Sequence, residues 1–256
     1  MSAPALDLTP APGAAPLPRR LTAQLATELR LMLRNGEQLL LTIVIPTVLL
    51  ALFTAAPIAD LPKPRVDFLV PGVLALAVMS TAFTGQAIAT GFERRYGVLR
   101  RLGTTPLSRP ALLAGKTAAV VAVEVLQAGL LCVVGLGLGW SPDGNAAAVI
   151  GLLLLGTVGF SALGLLMAGT LRAEATLAAA NLVYLVLLVL GGVAFPLTDF
   201  GTTTRHVLEL LPISALSGGL RATLQAGGAV PLHDWVTLLV WGAVGTAAAS
   251  RWFRWD

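Results

Sequence analysis

Residues 91–116 read GFERRYGVLRRLGTTPLSRPALLAGK, and six of the chain's 17 Lys and Arg fall inside them: Arg94, Arg95, Arg100, Arg101, Arg109 and Lys116. One acid, Glu93, stands among them. Cations at this density anchor a membrane loop on one side, hold phosphate, or present charge to a partner protein. Phosphate is excluded by spacing. LAGKT at 113–117 resembles the end of a phosphate-binding loop, but that motif needs a glycine five positions before Gly115, where Pro110 stands. The anchoring role holds whatever else is true. The partner role has more than charge behind it. Tyr96, Val98, Leu99 and Leu102 would form the apolar side of a short helix. Gly103, Thr104, Thr105 and Pro106 would stop it, because the residue before a proline avoids helical backbone. A short helix with one apolar and one basic face suits a partner's groove.

Glu124 is the second group. It lies eight residues past Lys116 in an apolar run, about 12 Å further along a helix. A carboxyl in lipid is costly, and it marks either a function or a structural hydrogen bond, to Gln127 or to a neighbouring helix. Asn181 and Tyr184 are three apart and share a helix face. His206 and His233 have no acid or cysteine cluster at ligand spacing, so no metal site is expected. Cys132, the single cysteine, sits in the apolar run LLCVVG and cannot form a disulfide within the chain.

The elements that position these residues are apolar. The chain is 56% hydrophobic and 12% charged, with a mean hydropathy of +0.82. A soluble domain carries about 25% charged residues, so lipid is the expected solvent. The net charge of +4 does not indicate nucleic-acid binding, because the basic residues cluster at the ends of apolar runs. A span needs about 20 apolar residues. Six runs qualify, at about 39–56, 69–90, 112–139, 146–169, 176–195 and 233–250. Thirteen of the 17 Lys and Arg then fall on one side and four on the other, which places both termini and the 91–116 segment in the cytoplasm. Residues 1–18, rich in Ala and Pro, read as a disordered cytoplasmic tail and not as a signal peptide. Residues 19–256 read as one all-α domain. In LTAQLATELRLMLRNGEQ, Leu21, Leu25, Leu29, Met32 and Leu33 share one face, while Glu28, Arg30, Arg34 and Glu37 fall mostly elsewhere. That pattern predicts an amphipathic helix in the cytoplasmic interface. Gly151, Gly156, Gly159 and Gly164 mark close helix packing along the fourth run. The stretch ELLPISALSGGLRATLQAGG is apolar but broken, which fits two half-helices dipping into the membrane from outside.

The order Glu93-Arg94-Arg95-Tyr96-Gly97-Val98-Leu99-Arg100-Arg101-Leu102, Thr105-Pro106-Leu107-Ser108, Gly115-Lys116 resembles the signature of type-2 ATP-binding-cassette exporter permeases, most of all the daunorubicin-type drug-export branch. Phe195-Pro196-Leu197, Leu211-Pro212 and Leu220-Arg221 add to the likeness. The resemblance implies that the 91–116 segment holds a coupling helix seated in an ATPase subunit. Glu93, Arg94, Arg95, Tyr96, Gly97, Leu99, Arg100 and Arg101 would serve that docking. It implies two copies of a separate ATPase carrying ATP and Mg, and a second, identical permease. It also implies a bacterial plasma-membrane location, and a small amphipathic cargo such as a drug, antibiotic or lipid. Spans two and five would line the path, which makes Phe83, Gln86, Asn181, Tyr184 and Phe195 its candidate lining. No catalytic residue, cofactor or metal is expected in this chain. The alternative is an ATP-independent secondary transporter with Glu124 as its coupling-ion site.

Overall fold

The computed structural model describes residues 13–55, 64–193, 197, 201–226 and 228–254. The described residues form helices and no strand. In chain order these are α1 (Leu17–Arg34), α2 (Gly36–Ala55), α3 (Arg65–Val78), a π-helical segment (Met79–Gly85), α4 (Gln86–Arg95), α5 (Val98–Gly103), α6 (Arg109–Gly137), α7 (Ala146–Thr170), α8 (Ala173–Leu190), α9 (Thr202–Glu209), α10 (Pro212–Ala226) and α11 (Leu232–Trp252). Residues 1–12 of the expected tail, and Phe195, lie outside the described residues.

Among the described residues, four helices are long and apolar enough to cross a bilayer: Arg65–Arg95, Arg109–Gly137, Ala146–Thr170 and Ala173–Leu190. They coincide with the second to fifth expected runs. Helices α9 and α10 meet at 93° and make a fifth if the bent pair is one span. The first run falls on α2, whose apolar stretch Thr42–Ala55 is shorter. The sixth falls on α11, where His233, Asp234 and Arg251 dilute the apolar composition. The fifth run ends earlier than expected. Helix α8 stops at Leu190, and Gly192 takes φ +67°, a left-handed conformation that glycine adopts without penalty.

Two prolines sit inside helices, and each has the same remedy. Proline lacks the N–H that would bond the carbonyl four residues earlier. Pro46 therefore frees the Thr42 carbonyl, and Gln127 of α6 donates its Nε2 to that oxygen at 2.6 Å. Pro71 frees the Asp67 carbonyl, and Gln225 of α10 donates to it at 2.8 Å. In an apolar surrounding an unpaired carbonyl is costly, so each proline ties its helix to one particular neighbour. Gln127 also accepts the Thr81 hydroxyl at 3.1 Å, which fixes α6 to the π-helical segment.

Helix α7 is the central post. A Cβ on Gly164 would lie 2.7 Å from the Phe83 carbonyl, and one on Gly159 would touch the Gly242 backbone at 3.6 Å. The π-helical segment and α11 thus approach α7 as close as backbone allows. One large core runs through α3, the π-helical segment, α7 and α10. A second, small cluster joins Leu99 of α5, Leu112 of α6, Leu165 of α7 and Phe253 after α11.

Candidate functional site

The 91–116 segment is three pieces and not one helix. Residues 91–95 finish the long helix that began at Arg65. Tyr96 and Gly97 turn, with Gly97 at φ +73°. Helix α5 follows and ends at Gly103, where the sequence predicts the stop, and Ser108 caps α6 by accepting the Ala111 N–H. Helix α5 has only six residues, too few to hold itself in water. Leu99, fully buried, plugs it into the small cluster and fixes its orientation.

That plug sorts the expected docking residues into two sets. One set is paired within the chain. Arg94 donates to the Ala168 and Leu171 carbonyls at 2.9 and 3.1 Å, so a cation meets the carbonyl end of α7. Arg95 pairs with Glu174 in the first turn of α8. Glu93 accepts from Lys116 Nζ at 2.6 Å. The other set faces out. Tyr96 is 70% exposed. Val98, Arg100 and Arg101 are exposed too, and the two arginines make no ion pair among the described residues. Tyr96 keeps its ring stacked on Phe92, with centroids 6.1 Å apart.

Lys116 is the residue whose setting the sequence does not disclose. It lies inside α6 and is 4% exposed. Its ammonium bridges Glu93 at 2.6 Å and Glu28 of α1 at 2.9 Å. Gln24 holds Glu28 with a 2.7 Å bond. This corrects the sequence reading of α1. Glu28, expected off the apolar face, is buried together with Gln24 and flanked by half-buried Leu21, Leu25, Leu29 and Met32, while Leu31 and Leu33 are exposed. The reason is electrostatic: a buried ammonium needs counter-charge, which draws two polar residues into the packed face of α1. Gly115 permits the approach, since a Cβ there would lie 2.8 Å from Gln24 Cγ. Arg20 of α1 also donates to the Pro106 carbonyl. Helices α1, α4 and α6 are thus pinned together behind α5. The signal for this was a lone lysine eight residues into an apolar helix, but its partners are distant in sequence.

The expected path residues do not share one surface. Phe83 is buried and borders a pocket with Val183, Leu187 and Met167. Gln86 is buried and accepts the Ser161 hydroxyl at 2.8 Å, inside the packing of α4 on α7. Tyr184 packs partly buried against the main core. Asn181 is exposed and donates to the Leu177 carbonyl one turn earlier. Glu124 is 8% exposed and accepts the Thr157 hydroxyl of α7, so its partner is neither Gln127 nor a base.

The sequence matches the ABC-2 type transporter family over residues 19–224. It is also 34% identical over 129 residues to the daunorubicin resistance ABC transporter permease protein DrrB1 of Streptomyces coeruleorubidus. That match covers 48% of this chain and 45% of the relative, so it spans less than half the length of the curated protein.

Proposed function

The chain belongs to the ABC-2 type transporter family, and we propose that it is the membrane permease of an exporter that moves a hydrophobic or amphipathic compound out of the cytoplasm. It is a multi-pass membrane protein and a transport component rather than an ATPase, and the family pairs such a subunit with an ATPase. The family membership displaces the ATP-independent alternative. In our reading two permeases, identical by symmetry, assemble with two ATPases that carry ATP and Mg. Helices α2 and α11 complete six spans. The 21 residues of α11 are about 31 Å long, and its backbone lies against the central post. The bent pair α9 and α10 dips in from outside. The excess of Lys and Arg at the α5 end puts that end and both termini in the cytoplasm, in a bacterial plasma membrane.

One observation carries this reading: a six-residue helix, anchored through Leu99, and the turn before it present Tyr96, Val98, Arg100 and Arg101 outward. Such a patch has an apolar part for a groove and guanidinium groups for carboxylates. ATP-driven closure of the ATPases would move α5. Leu99 would pass the motion to α6, α7 and Phe253, and the Glu28–Lys116–Glu93 bridge would carry α1 and α4 along. The cargo path then opens alternately to each side, and the cargo's differential affinity for the two states sets direction. Asn181, on the exposed side of α8, is our candidate for lining that path. Phe83 and Gln86 shape it from behind.

The test is ATP-dependent uptake of a fluorescent amphiphile into inside-out vesicles holding this chain and a co-expressed candidate ABC ATPase. Uptake that vanishes when the ATPase loses its phosphate-loop lysine supports the exporter. Uptake that persists without ATP hydrolysis overturns it.

A further inference from the structure

Glu124 is not used by the coupling path, yet its position is costly. A buried acid without a basic partner is retained only where something offsets the desolvation. Thr157 is the one hydrogen-bond partner of its side chain among the described residues, and the Thr157 hydroxyl also lies 2.7 Å from the Leu153 carbonyl. The second carboxyl oxygen, Oε1, is buried without a partner among the described residues. Beside it lies a 320 Å³ pocket between α3, α6 and α7, whose wall includes Leu74, Val78, Val121 and Leu153. The amide on that wall, Gln127, is already engaged by Thr42 and Thr81. The rim carries Val125 and Ile150, 65% and 57% exposed, so the pocket opens on the apolar flank of the helices rather than at their ends.

We propose that this pocket binds a protonated hydrophobic amine, with Glu124 as its counter-charge. The chemistry selects the class. An apolar wall takes a flat or aliphatic body, and a single free carboxyl oxygen takes one N–H donor. An anionic headgroup would face the carboxyl of Glu124 with no cation on the wall. A sugar would leave its hydroxyls unpaired against apolar side chains. As a statement about cargo the inference rests on the exporter reading, and it narrows the compounds considered there. Binding itself needs only the permease.

The test uses the purified permease in lipid nanodiscs, with empty nanodiscs subtracting partition into lipid. Equilibrium dialysis compares 1-naphthylmethylamine with its neutral isostere 1-naphthalenemethanol. The amine should bind more tightly than the alcohol by about tenfold, the equivalent of one favourable charge contact. Glu124→Gln should remove that preference and Glu124→Asp should keep part of it, with both variants monodisperse. Leu154→Trp, at the rim, should weaken both probes. A Gln variant that still prefers the amine, or a wild type that binds both probes equally, overturns the proposal. Because no ATPase is present, loss of this site and failure of the exporter reading are separate results.

Discussion

Lys116 concentrates the residue-scale argument. Its ammonium is nearly inaccessible and faces two carboxylates from two other helices. Removing one member of a buried ion cluster leaves uncompensated charge, which costs about 3–5 kcal/mol. Lys116→Met should therefore lower the melting temperature of the detergent-solubilised protein sharply. Adding Glu28→Gln and Glu93→Gln to that variant should recover most of the loss, since the stranded charges are then gone. If Lys116→Met melts with the wild type, the bridge does not hold α1, α4 and α6 together. Glu93 shows why side-chain roles were only partly legible. Its place in the basic segment indicated a surface contact, whereas its carboxylate is consumed by a lysine 23 residues away. Charge density can be read along a chain; the identity of an ion's partner depends on which helices meet.

At the scale of elements, the two intrahelical prolines give the sharpest expectation. Gln127→Leu leaves the Thr42 carbonyl without its donor, a loss of about 1–3 kcal/mol for a buried group. Pro46→Ala restores a backbone N–H to that same carbonyl. Unfolding in mixed micelles should show Gln127→Leu destabilised. Pro46→Ala should cost less, or even stabilise, when combined with Gln127→Leu than when made in the wild type. Additive effects would mean that the glutamine and the proline are not coupled through Thr42. Much of the element plan was readable. The apolar runs located the four long helices, Gly103 to Pro106 marked the end of α5, and the glycines of α7 marked its close contacts. The packed face of α1 was readable only in its leucines. Periodicity selects the leucines, and only the position of Lys116 on the facing helix explains why Gln24 and Glu28 turn inward. The side-chain partners along the expected path were hidden for a related reason. Gln86 lies on a helix assigned to the path, and its amide oxygen accepts the Ser161 hydroxyl of α7, 75 residues away.

On the scale of the whole molecule, α8 is the least covered of the four long apolar helices. On α8, Leu182, Leu185 and Val189 are 63%, 56% and 51% exposed. In our reading this flank meets the second permease around the path. In a Cys132→Ser background, cysteines placed singly at Leu182, Leu185 and Val189 should give an oxidised dimer in membranes from at least one position. Absence of a dimer from all of them would put α8 against lipid and the symmetry axis elsewhere. The central claim, that α5 is the surface through which an ATPase drives this chain, has a more direct test. Wild type, a Tyr96→Ala/Arg100→Ala/Arg101→Ala variant and Lys116→Met would each be co-purified with the ATPase that supports transport by the wild type. The account predicts that the triple variant melts like wild type yet loses the ATPase, because its changed side chains touch solvent and not the core. A triple variant that retains the ATPase as well as wild type does would contradict it.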